Sequence, residues 1–257
     1  MPALTQREIG RKKLLETPES SDVNFEMGLL ELETFNAPSD ALPFFMQACR
    51  LNPKASIEWF YAGVAQLRLA RNEAAIGCFR RAEDAGYHTA ATAELSGDAH
   101  FNLGGFDAAQ SCYRRALGRS SQSAEIRSKL GLAEVRAGSI REGLRQLRAA
   151  VSQDPSLRAL HDRLITAEIS LGHMGDAVQA VENEMGRIET QPEDFLRAAG
   201  ICAQLRGRSR HLNILRAGIA RFPASTALQT ALANAETDFA LPRAAGRLRL
   251  RKSPPRS

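Results

Sequence analysis

Small and bulky apolar residues recur along this chain at a constant spacing of 34 residues, most visibly in the series Ala41, Ala75, Ala109, Gly143 and Ala177. Four positions further on stands a bulky series, Phe45, Phe79, Tyr113, Leu147, Val181 and Leu215, and three beyond that a small one, Ala48, Ala82, Ala116 and Ala150. Small, large, small at i, i+4 and i+7 is one stripe along an α-helix, so every repeat carries a helix that buries this stripe. A second stripe lies upstream, with its small site at Gly63, Gly97 and Gly131, to which Ala199 returns. Glycine inside a helix costs about 1 kcal/mol relative to alanine, so glycines in register imply a close backbone approach that outweighs the loss. Between the stripes fall Gly104, Gly138 and Gly172, where a helix C-terminus wants a left-handed residue before the chain turns back.

Punctuation agrees with this reading. Ser56 and Ser123 stand at the starts of first helices, and Pro53, Pro155 and Pro223 share one phase after second helices, where a proline stops the chain at little cost. Each unit is therefore helix, tight turn, helix. The predicted organisation is a flexible segment 1–21; six hairpins over 22–55, 56–89, 90–123, 124–157, 158–191 and 192–225; a capping helix 226–241 in first-helix phase; and a flexible basic tail 242–257. The pattern weakens towards the ends. Leu29 and Ile165 take the place of the first-helix glycine, and Glu184 and His211 the place of small second-helix residues, which predicts looser packing there.

These residues resemble the tetratricopeptide repeat, whose pattern is a Trp or its substitute, then Leu and Gly, then Ala, an aromatic residue, Ala and Pro. The second unit carries Trp59, Ala62, Gly63, Ala75, Phe79 and Ala82; the fourth carries Leu130, Gly131, Gly143, Leu147, Ala150 and Pro155. The resemblance implies an all-α fold, a right-handed superhelical solenoid of antiparallel hairpins whose first helices line a concave groove. Sites that face such a groove correspond to Val23, Glu26 and Leu30; Ile57, Phe60, Val64 and Leu67; Glu94, Asp98 and Phe101; Glu125, Leu132 and Val135; and Asp162, Thr166 and Ile169. Among them Ile57, Phe60, Val64, Leu67, Glu94, Asp98, Phe101, Leu132 and Val135 are the expected partner contacts, with Phe60 and Phe101 as aromatic anchors. An apolar row with acidic punctuation suits an apolar peptide or protein segment bearing some basic residues. The Lys and Asn clamp by which some relatives hold C-terminal carboxylates is missing, because Glu26, Leu30 and Phe60 occupy its places.

Composition narrows the classes without naming a partner. The 257 residues are 44% hydrophobic, 25% charged and 6% aromatic, which is the make-up of a helical globular chain and not of a disordered one. The net charge of +5 is uneven, since Arg243, Arg247, Arg249, Arg251, Lys252 and Arg256 all follow Pro242 without an acid. A second basic feature, Arg80, Arg81, Arg114 and Arg115, with Arg145 and Arg148, lies near the ends of second helices, where the helix dipole favours cations. Together they define the competing class, a nucleic-acid or anionic-surface binder using the tail and an arginine ridge. Self-association through the weaker terminal units is a third reading.

No motif demands chemistry. His88, His100, His161, His173 and His211 share no ligand spacing, the glycines make no phosphate loop, and the residues outside the hairpins leave no room for a catalytic domain of ordinary size. Cys49, Cys78, Cys112 and Cys202 lie far apart on apolar helical faces and read as buried reduced thiols. The expectation is a non-catalytic scaffold or adaptor with no cofactor and no metal. Neither a secretory leader nor a membrane-spanning run is visible, which places the expected location in the cytoplasm.

Overall fold

A computed structural model describes residues 3–185, 191–204 and 208–248. Among these residues the chain is helical throughout and without strands: α1 (Ala3–Glu16), α2 (Ser21–Leu29), α3 (Pro38–Leu51), α4 (Ser56–Arg68), α5 (Asn72–Asp84), α6 (Ala90–Asn102), α7 (Phe106–Arg119), α8 (Ala124–Arg136), α9 (Ile140–Gln153), α10 (Arg158–Ser170), α11 (Met174–Met185), α12 (Pro192–Gln204), α13 (Arg208–Arg221) and α14 (Thr226–Leu248). Two compact units divide at Ala150 and Val151, within α9. In the first, the even-numbered helices α2, α4, α6 and α8 are the first helices of successive hairpins. In the second, α10 pairs with α11 and α12 with α13, and α14 packs on both α12 and α13.

The small positions do what the period requires. A Cβ added at Gly63 would stand 2.6 Å from the Phe79 ring, and one at Gly97 2.6 Å from the Tyr113 ring, so each aromatic side chain of a second helix lies directly on glycine backbone of its first helix. At Gly131 the partner is the smaller Leu147, and there the helices close further: a Cβ would meet the carbonyl oxygen of Gly143 at 2.8 Å. Ala41, Ala75, Ala109, Phe45, Phe79 and Leu147 have no measurable exposure, so these stripes are the core.

The turns follow one geometry. Gly104, Gly138 and Gly172 have φ of +77°, +91° and +76°, and the same register is continued upstream by two residues that pay for it with a side chain, Ala70 at +56° and Asn36 at +50°. Ser123 caps α8, its hydroxyl accepting from Ile126 N at 3.2 Å; Thr89 and Ser20 do the same for α6 and α2. Ser56 lies inside α4, which has no side-chain cap.

The first hairpin departs from the fixed period. α2 runs on into a π-helical turn, Leu30–Thr34, in which Phe35 N reaches back five residues to Leu30 O at 3.3 Å. One residue is thereby added inside the helix. Upstream of the turn the phase moves by one, and the glycine under Phe45 is Gly28, where a Cβ would lie 2.5 Å from the ring. The expected glycine substitution at Leu29 is corrected accordingly: the glycine is present, 35 residues before Gly63. Val23, Glu26 and Leu30 likewise give way to their preceding neighbours as the residues in register with Ile57, Phe60 and Val64.

Two ends differ from expectation. Residues 3–16, expected to be flexible, form α1 in second-helix phase: Gly10 lies against Met27, and Arg7 Nε donates to the buried carboxylate of Glu31 at 2.7 Å while its guanidinium stands 4.2 Å from the Phe35 ring centre. At the other end α14 does not stop at Leu241 but continues through Pro242 to Leu248. Arg243 and Arg247 are thus on a helix, whereas Arg249, Arg251 and Lys252 lie outside the described residues.

Candidate functional site

The expected groove residues of the first unit fall into three groups. Ile57, Val64 and Leu67 on α4, Phe101 on α6 and Leu132 on α8 are exposed or half-buried, with Ile57 at 38%. Phe60 and Val135, each 9% exposed, belong instead to the interior. Phe60 packs among the rings of Tyr61, Phe79 and Tyr87 at centroid distances of 5.3, 6.1 and 5.1 Å. Tyr87 stands where the repeat pattern has proline, and its ring closes over Phe60. Val135 lies where the close approach of α8 and α9 traps it against Gly143. These two residues are therefore corrected from partner contacts to core.

The acidic pair forms the third group. Lys129 of α8 reaches back to α6 and places Nζ 2.6 Å from Glu94 Oε1 and 2.7 Å from Asp98 Oδ2. The other oxygen of Asp98 accepts from the Tyr113 hydroxyl at 2.8 Å. Burial works against the Lys129 ammonium, yet Asp98 and Glu94 more than offset it and hold the pKa above the ordinary lysine value. Burial and the neighbouring Asp98 also push the Tyr113 phenol up, so it stays a donor. Glu94 and Asp98 are thus neutralised by the protein's own lysine. A lysine one step off the groove-facing register carries no sequence signal for this role.

The arginine ridge is similarly occupied in part. Arg114 pairs with the buried Glu134 of α8 at 2.7 Å, and Arg115 with Glu83 of α5 at 3.1 Å, so both tie neighbouring hairpins together. Arg81 lies over the Trp59 indole at 4.5 Å, and Arg80 is exposed. As a continuous anion-binding row the ridge is corrected: Arg114, Arg115 and Arg145 place their charge on Glu134, Glu83 and Glu142 within the fold.

One recurrent contact escaped the sequence because its residues are chemically unlike. Trp59 Nε1 donates to Pro53 O at 3.0 Å, His161 Nε2 to Pro155 O at 2.9 Å, and Gln229 Nε2 to Pro223 O at 2.8 Å, each reaching the carbonyl six residues upstream. Asn24 Nδ2 to Pro18 O at 2.9 Å is the same contact, displaced by the π-helical turn. The shared requirement is a side-chain N–H at the start of the first helix to satisfy an otherwise orphaned carbonyl. His161 has this structural role.

In the second unit the irregular positions are satisfied by charge. Glu184, in the place of a small residue, is 3% exposed and pairs with Arg197, with Arg158 Nε at 4.0 Å; Arg158 and Arg197 also pair with Asp194 and Asp162. His211 accommodates the other irregular position by donating from Nδ1 to Ala199 O at 2.6 Å. His173 Nδ1 stands 2.9 Å from the buried Glu168 and, with Asp176, forms the one His and carboxylate cluster of metal-ligating type among the described residues. The four cysteines are buried free thiols; burial raises Cys49 to about 12 and pushes Cys78 and Cys202 up as well.

A family profile of the tetratricopeptide repeat matches residues 95–158, the span from α6 into the start of α10. Residues 95–158 carry the tetratricopeptide repeat. Solved structures share the fold: a tetratricopeptide repeat protein from Parabacteroides merdae is 13% identical with a TM-score of 0.67, covering 91% of this chain and 92% of that one. PilW, a type IV pilus biogenesis factor, is 19% identical with a TM-score of 0.62 over 82% of this chain and 98% of its own. YrrB, a tetratricopeptide repeat protein with an unusual peptide-binding site, is 20% identical with a TM-score of 0.58 over 70% and 92%. No curated protein matches the sequence. The resemblance read from the residues is thereby established, and the tetratricopeptide repeat fold is an all-α solenoid suited to protein–protein interaction. Among the described residues no helix is long and apolar enough to cross a membrane.

Proposed function

We propose that this tetratricopeptide repeat chain is a non-catalytic scaffold that captures a partner segment along its first helices, in the cytoplasm. The observation that carries the reading is the row of solvent-reaching apolar side chains Ile57, Val64 and Leu67, extended by Phe101 and Leu132, on helices whose Phe60, Ala62, Ala65, Ala99, Leu130 and Ala133 are sealed in the core. Such a row offers apolar anchors on a rigid backbone, the arrangement by which an amphipathic or extended segment is held. The solved structure of YrrB, with its peptide-binding site, is a precedent for the fold in this role.

With Lys129 seated on Glu94 and Asp98, the expected partner is chiefly apolar, and its basic residues contribute less than an open acidic pair would allow. The competing nucleic-acid reading gains no support, since Arg114 and Arg115 are engaged by Glu134 and Glu83. The test is affinity capture from native extract with the full chain and with the Leu67→Asp, Leu132→Asp double variant. Loss of the same polypeptides from the variant, with helical circular dichroism unchanged, supports the reading. Retention of every one of them overturns it. Phe60 is unsuitable for such a test, because a charge at a buried ring damages the fold itself.

A further inference from the structure

Arg81 and Arg115 occupy the same register in successive hairpins, 34 residues apart, yet their surroundings differ. Arg115 is held by both oxygens of Glu83, each 3.1 Å from Nη1. The residue in register with Glu83, one hairpin earlier, is Cys49, a buried thiol. The carboxylate that neutralises Arg115 within the fold therefore has no counterpart for Arg81. Its guanidinium instead lies over the Trp59 indole, 4.5 Å from the ring centre, and no carboxylate of the described residues is within ion-pair distance of Arg81, Arg50 or Lys54.

These cations border open space. A cleft of about 630 Å³ between α3 and α5 is lined by Pro43, Met46, Cys49, Arg50, Trp59 and Arg81. A smaller recess of about 360 Å³, which shares Trp59 and Arg81, brings in Lys54, with Asp84 its single acid. The floor is apolar, with Met46 39% exposed, and the charged rim is predominantly positive. Arg50 donates to Gln47 and is otherwise available at the mouth.

We propose that this cleft, formed by the second helices α3 and α5 with Trp59 of α4 and distinct from the exposed row Ile57, Val64 and Leu67, binds an acidic segment of a protein partner, whose Asp or Glu takes towards Arg81 the position that Glu83 takes towards Arg115. An apolar side chain beside that carboxylate fills the space over Pro43 and Met46. Arginine suits the task, because its planar fork receives a carboxylate through paired hydrogen bonds while its face remains stacked on the indole.

Trp59 is the only tryptophan of the chain, so its emission reports on the cleft directly. The experiment titrates the full chain with an acetylated, amidated octapeptide alternating Asp-Glu pairs with Leu pairs, beside the same peptide with Lys at each acidic place, inorganic phosphate, and a single-stranded oligonucleotide. The expected result is a saturable change in emission with the acidic peptide alone, weakened about tenfold by Arg81→Gln, which removes one charge-assisted contact. Arg50→Gln, which leaves the Trp59 stack intact, is expected to weaken binding to a smaller extent. Cys49→Glu, provided its circular dichroism matches the parent, is expected to compete by supplying the missing carboxylate in cis. No response to the acidic peptide, an equal response to the lysine peptide, or equal affinity of Arg81→Gln and Arg50→Gln for it overturns the proposal. A response to phosphate or the oligonucleotide matching that to the peptide overturns the assignment to a protein segment. The Leu67→Asp, Leu132→Asp variant is expected to bind the acidic peptide unchanged, so failure of the first-helix reading and failure of this one are separately visible.

Discussion

Lys129 Nζ stands 2.7 Å from Asp98 Oδ2 across the boundary between the third and fourth hairpins, and the same ammonium is 2.6 Å from Glu94. Both carboxylates and the lysine retain only about a fifth of their side-chain exposure, so the cluster is a partly desolvated stitch between helices α6 and α8. Lys129→Met leaves two acids facing each other and is expected to destabilise the first unit by about 2 kcal/mol, towards the lower end for a broken buried pair because water still reaches it. Urea denaturation at pH 7 measures the loss, and adding Asp98→Asn is expected to restore part of it. The lysine pKa is raised in the folded state, so its contribution is fully present below the unfolded lysine value and is lost as pH rises through the folded one. The difference between parent and Lys129→Met should accordingly shrink in strongly alkaline solution.

Ala70 holds a φ of +56° in the register otherwise filled by Gly104, Gly138 and Gly172. Its side chain is exposed, so nothing packs against the Cβ to compensate the left-handed strain. Ala70→Gly is expected to stabilise the protein by about 0.5–1 kcal/mol, the strain relieved exceeding the flexibility added to the unfolded chain. A rise in thermal midpoint checks this; a fall would show that the turn is not strained.

Gly63 and Gly97 lie beneath Phe79 and Tyr113, and a methyl group at either would stand 2.6 Å from ring carbon. Although alanine is the better helix former, Gly63→Ala and Gly97→Ala are each expected to cost about 1–3 kcal/mol, since the rings must leave their rotamers. Gly77, on the open face of α5 with nothing within 4 Å, is the control: Gly77→Ala should stabilise by about 1 kcal/mol through helix propensity alone.

Asp194 is held below the usual carboxylate range, first by the hydrogen bond from Arg158 and then by the Gln191 amide, which outweigh its partial burial. A depressed folded pKa contributes stability that is present above the unfolded value and is lost as pH falls through the folded one. Asp194→Asn is therefore expected to lower the melting temperature at pH 7 and to approach the parent as the pH drops below about 4. With the Arg158 side chain 42% exposed, the difference at neutral pH should be about 1 kcal/mol.

How far the sequence reaches can be judged from particular positions. The stripes of Ala75 and Phe79, the glycines beneath the rings, and the left-handed Gly104 and Gly138 were readable because each obeys a local rule repeated at a fixed count. Phe60 has the spacing of a groove residue, but its burial depends on Tyr87, an aromatic standing where the pattern has proline. Lys129 was invisible for a different reason: its partners are on another hairpin, and periodicity describes what each hairpin repeats, not what one contributes to the next. Glu184 reads as a packing defect in the sequence, because Arg158 and Arg197, which precede and follow it in the chain, converge on it only in the fold. The carbonyl contacts of Trp59, His161 and Gln229 share a donor atom and not a side-chain type, so a search by residue identity passes over them.

The π-helical turn at Leu30–Thr34 has a bearing on how such a chain tolerates changes in length. An extra residue in a hairpin ordinarily lengthens a loop and is visible there; here it is absorbed within a helix, and the register is already restored at the fully buried Ala41. Removing one residue from this turn should leave a plain α-helix with the spacing of the later hairpins, whereas the same deletion in α4 or α6 would rotate every following side chain of that helix by about 100° away from its partner. The molecule thus has a built-in leap day: one place in its calendar where the count can differ by one without disturbing the seasons on either side.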